Sequence, residues 1–83
     1  MDVAPRVLRL LDEVLNLNGR SASFTRDTHL LGAVPELDSM AVVSLITGLE
    51  EQFGLAIDDD DIDGATFATV GSLIDFVDAK LAG

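Results

Sequence analysis

The chain has 83 residues, with 15 acidic and 5 basic side chains, a formal net charge of −10 and 48% apolar residues. A chain this short buries only a thin core, which argues against a self-contained enzyme with a deep pocket, and its acidity repels nucleic acid and anionic lipid. Cysteine, tryptophan and tyrosine are absent, which excludes a disulfide framework and thiolate metal sites and leaves little for stacking on bases.

Val3, Val7, Leu10, Leu11, Val14 and Leu15 recur at helical spacing and predict a first helix over residues 3–15. Asp2 is its expected N-cap, Pro5 lies in the first turn where a missing N–H matters little, and Asn16, Asn18 and Gly19 are stop signals. Residues 17–37 lack sustained periodicity and are punctuated by Gly19, Ser21, Ser23, Thr25, Gly32 and Pro35. So long a connection must be pinned to the core. Phe24, Leu30, Leu31 and Val34 are the apolar anchors it offers, and Leu30 and Leu31 suit a short helical turn.

A second helix is expected from Asp38 or Ser39, with Asp38 as N-cap and Gly54 as a left-handed C-cap. Val42, Leu45, Ile46, Leu49 and Phe53 trace its apolar stripe, and Met40 and Val43 lie beside or outside it. Gly48 inside a helix costs about 1 kcal/mol against alanine and is expected to admit a neighbouring helix closely. The acidic stretch 58–63 reads as one helical turn containing Ile62, and 55–57 as briefly extended. A last helix runs from about Thr69, its N-cap, to Leu81, with a stripe of Val70, Leu73, Ile74, Val77 and Leu81. Three main helices and one short helix predict an all-α fold, a small four-helix bundle with a long first loop, as a single domain over residues 1–83.

Charge is distributed unevenly. Between Glu36 and Ala79 there are 11 acidic residues and no lysine or arginine. Arg6, Arg9, Arg20 and Arg26 precede that stretch and Lys80 follows it. The second half should attract a partner with a basic surface, although acidity also serves solubility. The longest nearly apolar run, Met40 to Leu49, falls far short of the roughly 20 residues that cross a bilayer. The Met-Asp-Val start lacks the basic and apolar segments of a signal peptide. A soluble, cytoplasmic monomer with no stable membrane insertion is expected.

The residues that bear on chemistry are Glu36-Leu37-Asp38-Ser39-Met40, at the opening of the second helix. A serine in the first helical turn sits beside unpaired backbone N–H groups and the positive end of the helix dipole, which favours a phosphate ester on its hydroxyl. Many such serines carry nothing, so local physics permits a phosphodiester on Ser39 without requiring it.

Leu37-Asp38-Ser39-Met40, followed by Val43, Leu45, Ile46, Leu49, Glu50, Glu51, Phe53 and Gly54, resembles the acyl carrier protein family, in which an Asp-Ser-Leu or Asp-Ser-Met triplet opens the second helix. The closing segment Thr69-Val70-Gly71-Ser72-Leu73-Ile74-Asp75-Phe76-Val77 resembles the family's last helix. The resemblance implies a covalent 4'-phosphopantetheine, moved from coenzyme A to the Ser39 hydroxyl by a phosphopantetheinyl transferase. The terminal thiol of that arm would hold acyl groups as thioesters for successive enzymes, while the carrier itself catalyses nothing and has no catalytic or metal-binding residues.

Asp38 serves as a helix cap and, by the resemblance, as part of the surface the transferase reads. Met40 and Val43 are either core residues or exposed apolar contacts for partner enzymes, and the place of Met40 beside Ser39 favours contact. Glu50 and Glu51 read as a solvated face. The resemblance makes Glu50 a contact for basic docking patches on acyl-loading and acyl-using enzymes. The chain departs from fatty-acid-synthesis carriers at Ala41, Val42 and Ser44, where that subgroup is usually acidic. The departure points to a specialised pathway such as polyketide, nonribosomal peptide or modified-lipid assembly, with general fatty acid synthesis as the alternative.

Other readings fit less well. Asp59, Asp61, Asp63 and Gly64 match the opening of an EF-hand loop, but Phe67 and Val70 stand where later ligands belong. Asp58 to Asp61 would attract hard cations only weakly. A hydrolase using Ser39 would need a Gly-x-Ser-x-Gly elbow, which is absent, and a base, for which the loop residue His29 is the single histidine. An unmodified acidic interaction module is the remaining alternative, and Ser39→Ala separates it from a carrier.

Overall fold

Helix α1 (Val3–Leu15), helix α2 (Ser39–Phe53) and helix α3 (Val70–Ala82) build the core, in a computed structural model that describes residues 3–82 and, within them, every side chain but that of Asp59. Short 3₁₀ turns at Arg20–Ser23 and Asp59–Asp61 sit in the two connections. The all-α class and the three main helices agree with the sequence reading. The acidic stretch supplies the short fourth element as a 3₁₀ turn, with Ile62 just beyond it and half-buried. Asp2, expected to cap α1, lies outside the described residues.

Helix α1 is the central packing element. Val3, Val7, Leu10, Leu11 and Leu15 are buried along one face, and α2 and α3 both pack on α1. From α2 the core takes Leu45 and Leu49, and from α3 it takes Val70, Leu73, Ile74 and Val77. Val42, Ile46 and Phe53 flank it, half-buried. Gly48 allows the close approach of α1 to α2, because a Cβ there would stand 2.8 Å from Leu10 Cδ1.

Helix ends follow their local chemistry. Asn16 takes a left-handed φ of 55° after α1, and the Leu17 N–H returns to the Asp12 carbonyl at 3.0 Å. That closure satisfies an orphan carbonyl and turns Leu17 into the core. Gly54 closes α2 in the same way, with φ 65° and the Leu55 N–H on the Glu50 carbonyl at 3.1 Å. At the start of α3, Thr69 and Ser72 cap each other: the Ser72 N–H donates to Thr69 Oγ1 at 3.1 Å and the Thr69 N–H to Ser72 Oγ at 3.0 Å.

The long first connection is pinned largely by its backbone. It runs antiparallel to the approach to α3, with the Leu30 N–H on the Ala68 carbonyl at 2.9 Å and the Leu31 N–H on the Phe67 carbonyl at 3.0 Å. The Val70 N–H donates to the Thr28 carbonyl and the Gly71 N–H to the Arg26 carbonyl, each at 2.9 Å. Leu30 is fully buried, Phe24 and Val34 pack against the core, and the Val34 N–H returns to the Leu30 carbonyl as the expected helical turn. Leu31 departs from the expectation and is 50% exposed. In this single turn, which packs on the core by one side only, Leu30 points inward and Leu31 outward. Leu17, Leu37 and Phe67 take buried places that periodicity did not assign.

Candidate functional site

The candidate site is the opening of α2. Asp38 has extended backbone (φ −105°, ψ −176°) and its Oδ1 accepts the Ala41 N–H at 2.8 Å. An extended residue with a short carboxylate is what stops the preceding loop and starts a helix. Ser39 is therefore the first residue of α2, and its side chain is exposed. Helix geometry leaves the first backbone N–H groups without intrahelical acceptors, and the helix dipole presents its positive end here. An exposed hydroxyl beside those groups suits a phosphate ester, so these residues fit a phosphodiester-linked arm.

Exposed apolar side chains stand beside Ser39. Met40 is 75% exposed and Val43 60% exposed, which settles the choice between core and surface for both. Met40, Val43, Thr47 and Glu50 follow at intervals of three or four residues, so they share one side of α2. Thr47 is exposed too, and the same spacing identifies it as part of this side. Ser44 and Glu51 are exposed too, and Ala41 and Val42 are half-buried against the core.

Glu50 lies further along that side, away from Ser39. Its Oε2 accepts the Ile57 N–H at 3.0 Å, so the carboxylate ties down the segment that follows α2. Asp61 Oδ2 accepts the Asp58 N–H and the Lys80 ammonium, each at 3.0 Å. Asp63 Oδ1 accepts the Ala65 and Thr66 N–H groups at 3.0 and 3.1 Å. Two carboxylates of the EF-hand pattern thus brace their own loop. His29 is exposed and its backbone bridges to Thr69.

Periodicity gave no hint of a cation at the approach to Ser39. Arg20 Nη2 pairs with Glu36 Oε2, three residues before Ser39. Nothing in the local sequence links residues 20 and 36, and the loop between them has to be folded before the pair exists.

Comparison with known proteins points to one family. The family described as "Phosphopantetheine attachment site" matches residues 5–77. Among curated proteins, acyl carrier protein AsbD of Bacillus anthracis is 31% identical over 72 residues, covering 87% of this chain and 77% of that protein. Among solved structures, the solution structure of holo acyl carrier protein NE2163 of Nitrosomonas europaea superposes with a TM-score of 0.92 at 49% identity over 100% of both chains. With the helix order, the capped Asp38-Ser39 opening and these matches in hand, the chain belongs to the acyl carrier protein family, which carries a covalent 4'-phosphopantetheine and is a carrier rather than an enzyme.

Proposed function

We propose that Ser39 is the attachment point of the phosphopantetheine and that the chain presents acyl thioesters to the enzymes of a specialised pathway rather than of general fatty acid synthesis. The observation that carries the first half is the exposed Ser39 hydroxyl at the start of α2, directly behind the Asp38 cap. There the Ser39 oxygen can reach the phosphate of coenzyme A in a transferase site while Asp38 holds the helix end. When attached, the arm supplies a thiol for thioester chemistry. The chain's own residues supply the anchor, the docking surface and the orientation.

The pathway reading rests on the surface beside Ser39. Met40 and Val43 expose apolar area where Ala41, Val42 and Ser44 carry no charge. A partner that fits this face needs an apolar contact near Ser39 and basic groups further along, opposite Glu50 and Glu51. Asp38, Met40, Val43 and Glu50 are accordingly the proposed contacts, with Glu50 acting chiefly by field because its carboxylate is engaged with Ile57. We place the protein in the cytoplasm as a monomer, acting as one carrier domain over residues 1–83.

Intact-mass measurement after incubation with coenzyme A and a broad-specificity phosphopantetheinyl transferase tests the anchor. Wild type should gain one phosphopantetheine and Ser39→Ala none. No gain in wild type with several active transferases would remove the proposal. For the pathway, a malonyl transferase of fatty acid synthesis should load the holo protein less efficiently than a Ser44→Glu variant. Equal loading would favour the general fatty-acid carrier.

A further inference from the structure

We propose that Arg20 and Glu36 are positioning residues for Ser39, holding the segment that leads into α2 in the geometry a modifying enzyme reads. The inference rests on Ser39 being the modified residue. Its basis is where the pair sits. Residues 35–38 connect the Leu30 turn to α2 and are held by the buried Leu37 side chain, by the Leu37 N–H on the Val34 carbonyl at 3.0 Å and by Arg20. Arg20 is itself fixed from α1. Its Nε donates to the Leu17 carbonyl at 3.2 Å, and Leu17 is buried. Asp12 of α1 accepts the Gly19 N–H at 3.1 Å and the Ser21 hydroxyl at 2.7 Å, on either side of Arg20. A continuous set of contacts therefore runs from the end of α1 through residues 17–21 to Glu36.

Charge makes the pair more than a brace. Glu36 and Asp38 are both carboxylates, and a phosphodiester on Ser39 would add a third negative charge within a span of at most about 11 Å of extended chain. No lysine or arginine lies between Glu36 and Ala79 in sequence, so a cation must come from elsewhere in the fold. Arg20 supplies it. Glu36 Oε1 is buried and accepts no hydrogen bond among the described residues, so one oxygen of this carboxylate relies on the Arg20 pair at the other for its compensation. Removing Arg20 would leave this half-buried carboxylate without its cation next to the proposed modification site.

Two readouts on the full chain test this. In the unmodified protein, amide hydrogen exchange across residues 37–42 should speed up in Arg20→Ala and stay near wild type in Arg20→Lys, with exchange in α3 unchanged. In the transferase assay, Arg20→Ala should raise the KM for the carrier by roughly 3- to 5-fold, as expected for a largely exposed ion pair, with kcat close to wild type. Arg20→Glu combined with Glu36→Arg should recover most of the loss. Unchanged exchange at 37–42 in Arg20→Ala, or an unchanged KM where wild type is modified, would overturn the inference. A wild type that is never modified would remove the Ser39 assignment instead, and the exchange measurement would still decide whether Arg20 positions the segment.

Discussion

Replacing Gly71 with alanine should unfold the chain at lower temperature, although alanine is the better helix former. Gly71 lies in the first turn of α3, where residues 26–31 cross the start of the helix. A Cβ at this position would stand 2.9 Å from the Arg26 carbonyl oxygen, 3.2 Å from Arg26 Cβ and 3.3 Å from Arg26 Nη2. The carbonyl accepts the N–H of Gly71 itself at 2.9 Å, so the added methyl pushes on the acceptor of the residue's own hydrogen bond. The crossing segment cannot retreat cheaply, because the Leu30, Leu31 and Val70 N–H groups hold it too. Helix preference returns at most about 1 kcal/mol, and less in a first turn. Overpacking against fixed backbone costs about 1–3 kcal/mol, leaving a net loss of about 1–2 kcal/mol. In a domain this small that lowers the Tm by about 5–15 °C. The chain has no tryptophan or tyrosine, so far-UV circular dichroism during thermal and urea melts is the suitable assay. Gly48→Ala is the control. Its Cβ would come close only to the two methyl carbons at the flexible end of Leu10, with Cγ at an ordinary 3.5 Å, so its stability should stay within about 1 kcal/mol of wild type. A Gly71→Ala protein as stable as wild type, or more so, would refute the reasoning about backbone contact.

Asp38→Ala removes the acceptor of the Ala41 N–H and should cost about 1 kcal/mol in a urea melt, with Asp38→Ser recovering most of it. If Asp38→Ser restores stability while its loading by a transferase stays low, the carboxylate is read directly; full recovery of both would reduce Asp38 to a cap. Met40→Glu should leave stability within about 0.5 kcal/mol of wild type, because the side chain is 75% exposed. Its kcat/KM in the loading assay should nevertheless fall several-fold, and an unchanged value would remove Met40 from the contact surface. Acid should loosen the fold. The Ser21 hydroxyl and the Gly19 N–H hold the Asp12 carboxyl below its ordinary range, and the Asp58 N–H and Lys80 do the same for Asp61. A carboxyl with a depressed folded pKa stabilises above its unfolded value, near 4, and that stabilisation is lost as pH falls through the folded value. The Tm should therefore decline below about pH 4, and Asp12→Asn should flatten the decline; an acid limb unchanged in Asp12→Asn would contradict the assignment.

Much of this protein is legible along the chain because its signals are local. The 3.6-residue stripes of α1 and α3, the Asp38 and Thr69 caps and the Gly54 stop each depend on residues within a turn or two, so spacing alone places them. The same holds for Ser39, whose position in the first turn follows from the Asp38 cap, and for the family pattern that runs through residues 37–54.

Tertiary structure decided what neighbours in sequence cannot. Leu30 and Leu31 are chemically identical, and the loop's path alone sends one into the core and the other to solvent. Spacing leaves Met40 and Val43 open to core or surface, with the place of Met40 beside Ser39 favouring contact, and the packing of α2 on α1 turned both outward. The Arg20–Glu36 pair and the backbone ladder between residues 26–31 and 67–71 join segments far apart in the chain. Such contacts form only when a long loop closes, and no periodicity records which partners closure will bring together. The sequence by itself thus determined the helices and the serine that opens the second of them, whereas the charge and surface that surround that serine were set by the fold.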